Sequence, residues 1–238
     1  MTAQRPAPSP EPPFSVRKPF LLLDEDVTRL TLVRHAQQDY PVQQGFDHSL
    51  WEDPPLSGLG RTQAMAVSAV LGEVDVDVVA CSTMQRARET AEIVASPHGL
   101  TPVVRPELVE IKSYSKMDDP SVDPQTLVPP EEWAAREAAF HERVMWDHMF
   151  FSEGSAEFRE RAVGAIDRLV ADFPAQHIVL ISHGGVINAY LGDILGVEED
   201  MFFLPNHCSI SEVLIKGDRK RIQSVNERQH LHVGILTN

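Results

Sequence analysis

The sequence predicts an α/β fold, a three-layer sandwich with a mostly parallel central sheet. Three observations predict it. Short β-branched runs alternate with longer segments of helical apolar spacing, the pattern of strands joined by helical crossovers. Three of those runs end in polar or cationic residues, as strands do where an open α/β sheet forms its functional crevice. A chain of 238 residues is also long enough to bury a substantial core in a single domain.

Each element has its own warrant. Arg29 to Val33 reads as a short strand. Ser57 precedes a helical run through Ala64, Val67, Val70 and Leu71, which Gly72 closes. Val74 to Ala80 alternates and is β-branched, a second strand. Ser82 with Gln85 three residues on is a capping-box pattern, predicting a helix from Thr83 to Ser96 before Pro97. Pro102 to Arg105 reads as a third, short strand, and residues 112–130 as loop rich in proline and aspartate. Trp133, Phe140, Val144 and Phe151 lie at helical spacing, which predicts one helix over Glu131 to Phe151. A further helix covers Ser155 to Phe173, then a strand His177 to Ile181 and a helix Gly184 to Leu195. Ser209 to Lys216 and Arg221 to Val225 flank Gly217-Asp218 and read as a hairpin.

Composition narrows the partners. Acidic residues outnumber basic ones by 35 to 21, so no nucleic acid or anionic membrane is expected as the main partner. A small anionic substrate needs only a local group of arginines and stays open. No apolar run of 18 residues occurs, so no membrane span is expected. Cys81 and Cys208 form no CxxC pair and read as free thiols. With no secretory pattern at the start, a cytoplasmic location is the expectation. Residues 1–20 hold six prolines and few apolar side chains, an arm unable to bury enough surface to order itself. Residues 21–238 are expected to form a single domain with a substrate-selecting insertion at about 112–152.

The chemistry converges at three strand ends. "RLTLV" runs into Arg34-His35, "DVDVVA" into Cys81-Ser82 and then Arg86, and "HIVLI" into Ser182-His183-Gly184-Gly185. If these strands are neighbours, two histidines and two arginines share one crevice, which suits a tetrahedral phosphoryl group. His35 can act as nucleophile, because a neutral imidazole nitrogen attacks phosphorus without first losing a proton. Arg34 and Arg86 can grip the equatorial oxygens, and His183, when protonated, can donate to them. Gly184 and Gly185 let backbone approach the anion at a helix start. Glu110, in "ELVEIK", is the carboxylate placed to protonate the leaving oxygen and later to activate water. The other histidines, His207 among them, show no ligand spacing, and no metal site is expected.

These motifs, with "PLSGLGRTQA" (55–64), "STMQRARETA" (82–91), "ELVEI" and "SHGG", occur in an order that resembles the histidine phosphatase superfamily, the phosphoglycerate mutase-like group. The resemblance covers roughly residues 29–215, apart from Lys112 to Ser152. It implies a phosphoglycerate mutase-like fold, a phosphohistidine intermediate on His35, and Arg34, Arg86 and His183 around the phosphoryl group. It also implies Glu110 as proton donor and neither metal nor cofactor. The expected partner is a small phosphorylated substrate.

Departures from the family pattern bear on specificity. Ala36 replaces the usual glycine, and Pro41 stands where a phosphate-contacting asparagine is common, leaving Gln37 and Gln38 as amide donors. "SLWEDPPLS" is similar to a mutase loop, which makes Ser49 a further candidate contact beside Gln38 and Gly184. Residues 112–152 hold no adjacent arginine pair of the kind that mutases use for the remote end of phosphoglycerate. Hydrolysis is therefore favoured over a mutase, and over a binding module that keeps the pocket without turnover. Trp146, Met149 and Phe150 add apolar side chains to a second face of the expected 131–151 helix, which predicts an active-site cap or a homodimer surface.

Overall fold

Strand His177–Ser182 is buried at every position, which explains why its interior, residues 178–181, is an unbroken apolar run rather than an alternating one. It lies at the centre of the sheet in a computed structural model that describes residues 26–40, 52–119 and 121–238. In chain order the elements are β1 (Thr28–Arg34), α1 (Gly58–Leu71), β2 (Val78–Cys81), α2 (Gln85–Ala95), β3 (Val103–Val104) and α3 (Pro130–Glu142). There follow α4 (Ser155–Asp172), β4 (His177–Ser182), α5 (Gly184–Leu195), β5 (Ile210–Lys216) and β6 (Arg219–Glu227). The proline-rich arm, Pro41 and Ser49 lie outside the described residues.

The strand order is β3-β2-β4-β1-β5-β6. The first four strands are mutually parallel, and β5 and β6 close one edge as the predicted antiparallel hairpin. Alternate residues of β4 serve opposite faces. Ile178 and Leu180 pack with Leu30 and Leu32 against Phe158, Ile166 and Leu169 of α4 and Ile187 and Tyr190 of α5. Val179 and Ile181 pack with Val33 against Ala64 and Val67 of α1 and Ala87, Ala91 and Val94 of α2. Helices thus cover both faces, giving the three layers.

Local chemistry sets the ends of the elements. Ser57 caps α1 by accepting from Gly60 N, as its sequence position implies. Gly60 has no substitute, since a Cβ there would fall 2.0 Å from the carbonyl oxygen of Gln37. Ser82 does not cap α2, which starts at Gln85 after an uncapped Met84. The Ser82 hydroxyl is instead paired with His183 Nε2 at 2.7 Å. β2 begins at Val78 rather than Val74, because the preceding turn clamps β4. Asp77 accepts from His177 N at 2.8 Å, and the carbonyl of Asp75 pairs with His177 Nδ1.

The helix expected over 131–151 ends at Glu142. Arg143 turns extended and pairs with Glu198, and the Val144 carbonyl accepts from Asp200 N. The Asp200 carboxylate then takes the amide of Trp146, the hydroxyl of Ser155 and the Arg159 guanidinium. A continued helix would forfeit all of these bonds, so tertiary pairing overrides the apolar periodicity. Trp146 is consequently not on a second helical face. It is buried between Phe140 and Phe158, with ring centroids 6.0 and 6.1 Å away. Truncating it should leave a cavity: Trp146→Ala is expected to lower unfolding free energy by about 3–5 kcal/mol in urea titrations. Trp146→Phe should cost far less, because it keeps the ring contacts and removes a buried indole N–H that has no partner among the described residues.

Candidate active site

The register decides which side chains meet. β1 and β2 flank β4, with Arg34 opposite Ser182 and Cys81 opposite Ile181, so the three strand ends lie level. His35 N donates to the Ser182 carbonyl at 2.8 Å, extending the ladder by one residue and locking the backbone of His35 beside His183. The two imidazole centroids are 5.1 Å apart.

His35 is 4% exposed, and its Nδ1 lies 2.8 Å from the carbonyl oxygen of Ala36. A carbonyl can only accept, so the ring proton is assigned to Nδ1 and Nε2 keeps its lone pair. That lone pair accepts from Arg86 Nε at 3.2 Å. Burial, then His183, Arg86 and Arg34, hold His35 well below the ordinary imidazole range. His183 is held well below it too, by burial first and by the same arginines. Both rings therefore favour the neutral form.

The arginines are anchored through backbone. Arg86, on the first turn of α2 and 7% exposed, also donates to the Glu52 carbonyl at 3.1 Å and has Asp53 at 3.8 Å. Glu89, the alternative partner on the same helix, pairs instead with Arg61. Arg88 is exposed. Arg34 donates to the Pro205 carbonyl, and its Nε is buried without a partner among the described residues. His183 Nδ1 is in the same condition. Buried donors of this kind, gathered beside a lone-pair nitrogen, form an arrangement that can bind an oxyanion.

Glu110 arrives from the far wall. Leu108, fully buried, seats the turn Pro106–Leu108 on α4. Arg161 of α4 then donates to the carbonyls of Glu107 and Val109 at 2.7 and 2.9 Å while pairing with Glu153. The Glu110 carboxylate accepts from Gly185 N at 2.9 Å and from Ile111 N at 3.0 Å. Arg86 and Glu110 line one open cleft of about 420 Å³, together with Asp53, Thr83, Lys112 and Ser113.

The remaining sequence candidates divide. Gly184 opens α5 beside Arg34 and Glu110, but a Cβ there would meet nothing closer than 3.6 Å. Gly185 is the demanding position, since a Cβ would lie 2.4 Å from Glu110 Oε1. Gln38 donates to the Tyr40 hydroxyl at 2.5 Å, and Tyr40 in turn lies near both arginines. Gln37 turns away, its amide oxygen accepting from Ser57. Lys112 is exposed, as expected of a loop lysine, yet it borders the cleft, whereas Lys116 pairs outward with Glu157. One residue was missed altogether. His207 places its ring centroid 5.6 Å from that of His35. No motif or spacing marks it, because a long chain separation is closed only by the β5 edge of the sheet.

Comparison with known proteins bears on the family and the fold. The family model of the histidine phosphatase superfamily, branch 1, matches residues 30–228. An uncharacterized phosphatase, PhoE, of Bacillus subtilis is 24% identical over 207 residues, covering 86% of this chain and 97% of that protein. Glucosyl-3-phosphoglycerate phosphatase of Mycobacterium tuberculosis is 29% identical over 177 residues, covering 70% of this chain and 75% of that one. The native structure of mycobacterial glucosyl-3-phosphoglycerate phosphatase superposes with a TM-score of 0.65 at 25% identity, covering 85% of this chain and all of that one. With level strand ends, a lone-pair imidazole between two arginines and a family match over most of its length, the chain belongs to branch 1 of the histidine phosphatase superfamily.

Proposed function

We propose that the protein is a phosphomonoester hydrolase working through a phosphohistidine on His35. The observation that carries this reading is the Ala36 carbonyl on His35 Nδ1, which leaves Nε2 unprotonated and directed at Arg86. In the first step Nε2 bonds to phosphorus, the phosphorus–leaving-oxygen bond breaks, and Glu110 supplies that oxygen with its proton. In the second step the Glu110 carboxylate removes a proton from water, the hydroxide oxygen bonds to phosphorus, and the nitrogen–phosphorus bond breaks. Phosphate departs and His35 is regenerated. Arg34, Arg86 and a His183 that gains a proton as the anion enters hold the three equatorial oxygens through both transfers.

Hydrolysis rather than mutase chemistry is supported by the cleft wall. A mutase must retain a bisphosphorylated intermediate, and among the described residues Lys112 is the only lysine bordering the cleft, beside Glu52 and Asp53. The phosphatase names of the relatives point the same way.

Three outcomes test the reading. His35→Ala is expected to lose acid-labile labelling from a radiolabelled aryl phosphate and at least about 10³-fold in turnover; full turnover in that variant would overturn the mechanism. Glu110→Gln is expected to separate substrates by leaving group. An alkyl phosphate should lose about 10²–10⁴-fold in kcat, and p-nitrophenyl phosphate much less, since its leaving group needs no proton. Equal losses would remove Glu110 from the role of acid. The third outcome concerns pH. His35 and His183 are held neutral in the fold, so below about pH 6.5 the unfolded chain binds more protons than the folded one. Stability should be full above that pH and decline as pH falls below it, by at most about 1.4 kcal/mol per pH unit per histidine. Urea midpoints measured from pH 7.5 to 5 should track this decline, and a flat series would mean that the rings charge in the folded state.

A further inference from the structure

His207 lies in the loop that follows α5 and wraps Arg34. Cys208 N donates to the Arg34 carbonyl at 2.9 Å, and the Pro205 carbonyl takes the Arg34 guanidinium. The His207 side chain is 3% exposed and tilted against the His35 ring. Its position is set by a segment distant in sequence. Thr237 Oγ1 lies 2.9 Å from His207 Nδ1, and the Thr237 carbonyl accepts from His207 N at 3.1 Å. Leu231 and Ile235, both buried in the second core, hold that segment down.

Gln63 of α1 ties the segment back to the nucleophile. Its Nε2 donates to Thr237 Oγ1 at 2.7 Å and to the Ile235 carbonyl at 2.6 Å, and its Oε1 accepts from Gln37 N at 2.9 Å. With the chain from His35 to Gln37, these contacts close a ring through Gln63 and Thr237 to His207 and back to His35. An amide nitrogen can only donate, so Thr237 Oγ1 accepts from Gln63 and keeps its own proton available to His207 Nδ1. With that proton on Thr237 the imidazole carries its own on Nε2, and a charged ring donates from Nε2 in either case. Burial, then Arg34 and Arg86, lower His207 to about 3, which favours the neutral ring. Nε2 is buried and has no partner among the described residues.

A packing role explains little of this. An apolar side chain would fill the same space without a buried orphan nitrogen and without a threonine to orient it. We propose that His207 is an additional phosphoryl-binding residue, its Nε2–H donating to an oxygen of the group carried on His35, and that Thr237 is the residue that positions it. The proposal rests on the phosphatase reading above and adds a contact supplied by a loop outside the motifs. The ligand class is a tetrahedral oxyanion, phosphate or its vanadate analogue.

The test is inhibition of aryl phosphate hydrolysis by orthovanadate, with inorganic phosphate binding followed by calorimetry. His207→Leu is expected to weaken both by about tenfold or more, the loss of one hydrogen bond to a charged group. His207→Gln, which keeps a donor, should recover part of the loss. Thr237→Val should weaken vanadate inhibition and lower kcat, and Thr237→Ser should restore both, a rescue that mere packing would not give. Vanadate constants within twofold of wild type in folded His207→Leu overturn the proposal. If that variant does not fold, the same result in His207→Gln and Thr237→Val overturns it. A wild-type protein that neither hydrolyses aryl phosphates nor binds vanadate sinks the phosphatase reading itself, an outcome distinct from a vanadate-sensitive wild type with unaffected variants.

Discussion

One hydrogen bond, from His35 Nδ1 to the carbonyl of the next residue, decides which nitrogen the site can use. It is local in sequence but depends on the whole sheet. The Ala36 carbonyl points at the ring only because His35 N continues the ladder onto Ser182, and that ladder exists because β4 inserts between β1 and β2. Ala36 itself is fully buried, and its amide donates to Thr90 of α2, the helix that carries Arg86. The tautomer of the proposed nucleophile and the placement of its neighbouring cation thus share a single backbone geometry.

Around that geometry the protein concentrates cationic groups. Two arginines and three imidazoles crowd one buried volume, and the imidazoles respond by staying neutral. Arg34 Nε, His183 Nδ1 and His207 Nε2 are buried without a hydrogen-bond partner among the described residues. In the proposed function a phosphoryl oxyanion would satisfy several of these donors at once and let an imidazole charge as it arrives.

Much of the site was legible because its residues sit directly after strands or at helix starts, where sequence patterning is strongest. Arg34, His35, Arg86 and His183 follow from strand ends alone, and the glycine pair marks the start of α5. Glu110 was legible as a carboxylate after a short strand. Its orientation was not, since it depends on Arg161 gripping two carbonyls from another helix. Other readings failed for a common reason. Ser82 has the spacing of a helix cap but finds a better partner in His183, and the 131–151 periodicity yields to the Asp200 carboxylate. In both cases a side chain remote in sequence outcompetes the local pattern. Tertiary hydrogen bonds to buried or charged groups are worth more than a fraction of a kcal/mol of propensity.

The sequence by itself determined the alternation of strands and helices, and hence the layers, and it determined which residue types stand at the strand ends. Apolar periodicity and the stereochemistry of turns are local properties, so local reading recovers them. Only the tertiary structure decided which strand ends are level, where Glu110 points, and that His207 stands against His35. Those facts depend on strand order and on side chains reaching across long chain separations. No local pattern encodes such closures; they emerge when both faces of one central strand must be buried.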